Sequence, residues 1–293
     1  MKTVSFIHKD GESYGIIDKQ KIVCLPILAK ILATELPVTF DDFIGSQAAK
    51  ETTDTLLRKA KPLDLEKSSL SIDDVTIAAP IIHPPKIICL GWNYSDHAAE
   101  RKIEIPEEPV VFMKPHTAVI GPNQKIIKRP FVTELDYEGE LAIVVGKKAK
   151  DIPESEASKY IFGYTILNDV SARDFQFKDK QWTRGKGFDT FAPTGPCIVT
   201  SEQLPNTENL SIKTWVNGEL RQNGSTRDMI FNVRQIIYHL SRVMTLEPCD
   251  IIATGTPSGV GMAMKPQKWL KSSDVVRIEI EGIGRLENIV EEK

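Results

Sequence analysis

Residues 135–146 read Leu-Asp-Tyr-Glu-Gly-Glu-Leu-Ala-Ile-Val-Val-Gly, a segment that begins acidic and ends apolar. As a strand it alternates its side chains between two faces. Asp136, Glu138 and Glu140 then share one face, which Ala142 and Val144 continue toward a core, while Leu135, Tyr137, Leu141, Ile143 and Val145 take the other. Three carboxylates on one face repel one another unless a cation sits between them. Holding a hard divalent cation through oxygen ligands is the most economical use of such a face. A solvated edge strand, whose charges discourage edge-to-edge pairing, is the alternative.

A chain of 293 residues can form one large domain or two unequal ones. Its formal net charge of −3 gives no general attraction for nucleic acid or an anionic membrane. No apolar run reaches the length of a transmembrane helix, and the start, Met1-Lys2-Thr3-Val4-Ser5-Phe6-Ile7-His8, turns polar too soon for a signal peptide. Cys24, Cys89, Cys197 and Cys249 lie far apart with no Cys-x-x-Cys pair, so buried reduced thiols and a cytoplasmic location are expected.

Along the chain, residues 1–24 read as a short antiparallel β unit with a turn at Asp10-Gly11. Residues 26–61 change to helical spacing. The polar stretch 63–74 is the linker candidate, dividing a small α+β unit (1–70) from a larger domain (71–293). In the larger unit, the apolar strand Lys86–Gly91 runs into Trp92-Asn93-Tyr94-Ser95-Asp96-His97, where Ser95 or Asp96 can cap a short helix. That helix puts His97 and Glu100 on one face. A carboxylate beside an imidazole fixes its tautomer, as a general base requires; surface decoration is the plainer reading. Residues 154–160 read as a helix with Pro153 at its first turn. Asp169 ends the apolar strand 161–167, where it suits either a third metal ligand or a turn. The aromatic and cationic segment 174–190 suits a loop lining an anionic substrate pocket. Trp215–Leu220 carries a type I′ hairpin signature, and Asn232 can cap an amphipathic helix. Glycines in 255–261 allow close backbone approach to an anion, but neither a Gly-Lys-Ser/Thr phosphate loop nor a Gly-x-Ser-x-Gly elbow is present. Strands dominate beyond residue 75 without βαβ alternation, which predicts an α+β, mostly β fold.

Five motifs in order then resemble the fumarylacetoacetate hydrolase family: Gly91-x-Asn93-Tyr94-x-x-His97-x-x-Glu100, Asp136-x-Glu138-x-Glu140-Leu141, Asn168-Asp169-x-x-Ala172-Arg173-Asp174, Lys186-x-x-Asp189 and Gly255-Thr256-Pro257-x-Gly259-Val260-Gly261. The closest resemblance is to bacterial members related to oxaloacetate decarboxylases and acylpyruvases. It implies a mixed β-sandwich roll, a homodimer, and Mg²⁺ or Mn²⁺ held by Glu138, Glu140 and Asp169, with Asp136 in support. It further implies a small 2-oxo acid substrate met by Arg173, Gln176, Thr256 and Gly255. Lys186 would support a developing enolate, and His97 with Glu100 would form a dyad on a lid. The expected reaction is C–C bond cleavage through an enolate, as decarboxylation or acylpyruvate hydrolysis. The alternatives are isomerisation or hydration of an unsaturated 2-oxo dioate and, more distantly, metal or ligand binding without catalysis. Trp92 departs from relatives that carry Arg or Lys there, and so removes a cation from the pocket mouth.

Overall fold

The computed structural model describes residues 1–9, 11–100 and 104–293. Asp10, and with it the tip of the expected Asp10-Gly11 turn, lies outside them; the flanking strands Lys2–His8 and Gly11–Asp18 do pair antiparallel. The architecture is α+β and mostly β. A twelve-stranded mixed sheet, a five-stranded sheet and a two-stranded ribbon carry the chain.

The acidic segment occupies the middle of the large sheet. Gly139–Val145 pairs antiparallel with Ile161–Asn168 on one side and Ile251–Ala253 on the other. All seven of its residues are buried, which overturns the edge-strand alternative. The alternation holds: Leu141, Ile143 and Val145 enter a core shared with the five-stranded sheet, whereas Ala142 and Val144 enter a second core with Phe40, Phe43 and Ile44. A strand buried on both faces reads as a continuous apolar run, and this one does after Glu140.

The expected single strand is nevertheless broken. Leu135–Asp136 leaves the large sheet to pair with Ser171–Ala172, and Tyr137 and Glu138 span the gap. One further expectation fails. The stretch read as a linker is ordered as the helix Pro62–Ser68, the strand Ser69–Ser71 and the turn Ile72–Asp74. Its polarity reflects an exposed helix face; the capping bond from Lys61 N–H to Asp64 Oδ2 starts that helix. The helix expected over 154–160 forms with those bounds, as the 3₁₀ helix Glu154–Tyr160; only Ala157 is buried, so no apolar stripe rewards α-helical spacing.

Elsewhere local signals act as expected. Asn217 and Gly218 adopt φ of 52° and 81°, the paired positive values of a type I′ turn. Asn232 accepts from the N–H groups of Arg234 and Gln235 to open the helix Val233–Val243. Lys2–His8 also pairs with Ala192–Thr200, so the first residues extend the large sheet. The four cysteines are buried and free. No helix among the described residues is long and apolar enough to cross a membrane.

Candidate active site

The carboxylates converge because of the break in the acidic strand. Glu138 precedes the strand and Glu140 lies two residues on, so both project to one side. The neighbouring strand ends at Asn168, whose Oδ1 accepts the Glu138 N–H at 3.1 Å, while Asp169 N–H donates to the Glu138 carbonyl at 2.9 Å. These bonds bring Asp169 to the two glutamates. Ligand atoms of Glu138, Glu140 and Asp169 lie within 4.8 Å of one another, and all three residues are buried. Asp136 turns away: it accepts from Gly261 N–H at 2.8 Å, Met262 N–H at 3.2 Å and Arg173 Nε at 3.0 Å. It thereby ties the arginine to the 255–261 loop.

Cations fill the other positions. Lys186 Nζ donates to Glu138 Oε2 at 2.7 Å and Asp169 Oδ2 at 2.6 Å. Arg173 donates to Glu138 Oε1 at 2.5 Å and to Gln176 Oε1 at 2.9 Å. Lys114, absent from the sequence-derived set, lies 2.7 Å from Asp169 Oδ1 and donates to the carbonyls of Val170 (3.0 Å), Lys186 (2.5 Å) and Phe191 (2.8 Å). Its only sequence signal is a lysine closing the apolar strand Val110–Lys114.

The buried carboxylates Asp136, Glu138, Glu140 and Asp169 thus face Lys114, Arg173 and Lys186, four formal negative charges against three positive. The titration of Glu138, Glu140 and Lys186 follows from that balance. Burial alone would raise Glu138, but Arg173 and Lys186 outweigh it and hold the carboxyl well below its ordinary range. Glu140 goes the other way: burial, then the charges of Asp169 and Glu138, push it well above. Burial would lower Lys186, yet Asp169 and Glu138 raise it, so it stays charged. Glu140 forms no ion pair among the described residues, and Gly255 N–H donates to it at 2.8 Å. Asp169 Oδ1 accepts no hydrogen bond despite its proximity to Lys114. An all-oxygen donor set with one excess negative charge and unused lone pairs fits a hard divalent cation.

The opposite side carries the dyad. Glu100 Oε2 lies 3.2 Å from His97 Nδ1 within the helix Ser95–Glu100. That helix is tethered to the glycine loop, where Ser258 N–H donates to Asp96 at 3.1 Å and Gly259 N–H to Glu100 at 3.3 Å. Asn93 closes the turn between the 87–91 strand and this helix: its side chain donates to the carbonyls of Thr254 and Phe231 and accepts from Phe231 N–H. Thr256 donates to the Gly139 carbonyl and accepts from Gln222.

A cavity of about 20 Å³ is lined by His97, Glu138, Glu140, Arg173, Gln176, Lys186 and Thr256, together with Leu90, Gly91, Trp92, Phe112 and Trp182. The structure therefore gathers the residues nominated from sequence; Gly255 and Asp169 stand behind the cavity wall and Glu100 behind His97. Besides Lys114, sequence reasoning missed Gln222, whose position depends on packing between distant segments; Trp182 belongs to the 174–190 segment read as lining a pocket, and it lines this one.

Residues 86–291 match the family profile described as fumarylacetoacetate (FAA) hydrolase C-terminal. A fumarylacetoacetate hydrolase domain-containing protein 2 homolog from Dictyostelium discoideum is 48% identical over 238 residues, covering 78% of each chain. A mitochondrial oxaloacetate tautomerase of Xenopus laevis is 44% identical over 243 residues, covering 82% of this chain and 76% of its own. Among solved structures, a fumarylacetoacetate hydrolase from Exiguobacterium antarcticum superposes with a TM-score of 0.84 at 36% identity, over the full length of both chains. A 5-carboxymethyl-2-hydroxymuconate delta-isomerase from Mycobacterium smegmatis does so at 0.79 and 36%, again over both full lengths.

Proposed function

This chain belongs to the fumarylacetoacetate hydrolase family, and we propose that it enolises a small 2-oxo acid, interconverting the keto and enol forms of oxaloacetate or a close analogue. The observation that carries the reading is the buried Glu138–Glu140–Asp169 cluster opening, beside Lys186 and Arg173, onto the cavity that His97 lines. Mg²⁺ or Mn²⁺ held by those carboxylates would supply Lewis acidity at the 2-oxo group. Arg173 and Gln176 orient the adjacent carboxylate. His97 takes the C3 proton, and Glu100 fixes its tautomer and shares the resulting charge. Lys186, kept cationic by its two carboxylate partners, offsets the charge that develops on the 2-oxo oxygen. Returning that proton to oxygen rather than carbon completes the tautomerisation. The relatives named as an oxaloacetate tautomerase and a delta-isomerase support proton transfer as the shared chemistry.

The C–C cleavage expected from sequence is the second reading, and the His97–Glu100 pair favours it. A base so oriented can activate water against the 4-oxo carbon of an acylpyruvate, and the departing fragment is again an enolate. Assembly as a homodimer belongs to this proposal and is checked by sedimentation. The deciding experiment follows the ultraviolet absorbance of enol-oxaloacetate and, in a second arm, of acetylpyruvate, with pyruvate release monitored in parallel, with Mn²⁺ and with EDTA. Metal-dependent loss of enol without pyruvate supports tautomerisation. Stoichiometric pyruvate favours cleavage, and no metal-dependent change in either overturns both.

A further inference from the structure

Opposite the charged groups, the cavity is walled by rings. The Trp92 ring stacks on His97 at 5.3 Å between centroids and 24° between planes. Trp182 meets Trp92 edge-on at 5.6 Å and Phe112 at 5.4 Å, and Lys186 Nζ lies 5.2 Å from the Phe112 centroid. Trp182 also occupies the space above Gly91: a Cβ there would come within 2.4 Å of its Cζ3. Trp92 takes a left-handed φ of 57°, a conformation better suited to glycine or asparagine, so a bulky indole is retained at a backbone position that disfavours it. Neither indole forms a hydrogen bond among the described residues, and both are only half-buried.

The charged side, by contrast, is locked by buried ion pairs. The cavity has room for about one water, so a larger ligand needs space made for it, and ring contacts give way more readily than buried ion pairs. We propose that Trp182, with Trp92 behind it, is the specificity-determining wall of this site, admitting short 2-oxo acids and excluding those with a bulky apolar group beyond C3. The inference rests on the 2-oxo acid chemistry proposed for the same cavity and names the substrate class within it. A short carboxylate-bearing chain stays on the Arg173 and Lys186 side. An aryl or branched acyl group must enter the volume the two indoles fill.

The test is calorimetric binding of two probes, oxalate and phenylpyruvate, to the Mn²⁺-loaded protein. Trp182→Ala should bind phenylpyruvate at least about tenfold more tightly than the parent while oxalate affinity moves by no more than about twofold, since removing a blocking group of this size is worth that or more. Trp182→Phe should show a smaller gain in the same direction, and Trp92→Gly, which suits the left-handed backbone, a gain of its own. These two milder variants decide the matter if Trp182→Ala loses its fold by circular dichroism. An unchanged phenylpyruvate-to-oxalate ratio in folded variants, including no phenylpyruvate binding by any of them, overturns the wall. A shifted ratio in a protein that fails to convert oxaloacetate overturns the reaction and keeps the wall.

Discussion

On the charged side of the cavity each group is tied to several others: Lys114 bridges Asp169 and three carbonyls, and Arg173 joins Asp136, Glu138 and Gln176. On the aromatic side, the indoles of Trp92 and Trp182 pack against other rings and form no hydrogen bond among the described residues. Buried ion pairs are costly to break from one partner, because the other is left charged in a low dielectric. Ring contacts are individually weak and tolerate sliding. One cavity therefore combines a rigid half, suited to fixing reacting atoms, with a yielding half, suited to choosing what else enters.

The strongest challenge to this contrast is on the rigid half. Glu138→Ala should lower Mn²⁺ affinity by about 100-fold or more and reduce turnover by a comparable factor or beyond, because it removes a donor and leaves Arg173 and Lys186 short of an anion. Calorimetry and the enol assay read both, and an unchanged Mn²⁺ isotherm would remove Glu138 as a ligand. His97→Ala should cost about two to four orders of magnitude in turnover with Mn²⁺ affinity nearly unchanged; a near-parental rate would take the base role from it. Lys114→Met should destabilise the fold by about 3–5 kcal/mol, a fall in melting temperature of roughly 6–15 °C. Trp182→Phe, on the yielding half, should cost less than about 1.5 kcal/mol. Equal shifts in a thermal melt would erase the distinction between the halves.

The smallest effect concerns protons. In the metal-free protein Glu140 is held above its ordinary range by burial and by Asp169 and Glu138. Metal binding must ionise it, so protons are released and affinity falls as pH falls. Titration in buffers of different ionisation enthalpy would show the release; its absence would argue that Glu140 keeps its proton and does not ligate.

Much of this site was legible because its chemistry is carried by residue types at element ends. Glu138 and Glu140 two apart and Asp169 after an apolar strand announce themselves by charge where burial is expected, whereas Arg173 and Lys186 stood out only through the motifs that resemble the family. Lys114 was illegible because a lysine ending a strand ordinarily points to solvent. Only the meeting of the segments around Asp169, Lys186 and Phe191 encloses it. The polar stretch 63–74 misled for the converse reason: composition reports exposure, and an exposed helix and a linker share it.

The acidic segment shows where the division lies. Sequence alone determined that it would be a strand, which faces its apolar residues take, and that its carboxylates needed a counter-charge, since the period of two and electrostatic repulsion are local. Tertiary structure decided that the strand is central rather than at an edge, that it breaks before Gly139, and that Asp136 parts from Glu138 and Glu140. Those outcomes depend on pairing with strands from residues 161–172 and 251–253. Such non-local hydrogen bonds give no periodic signal within the segment itself.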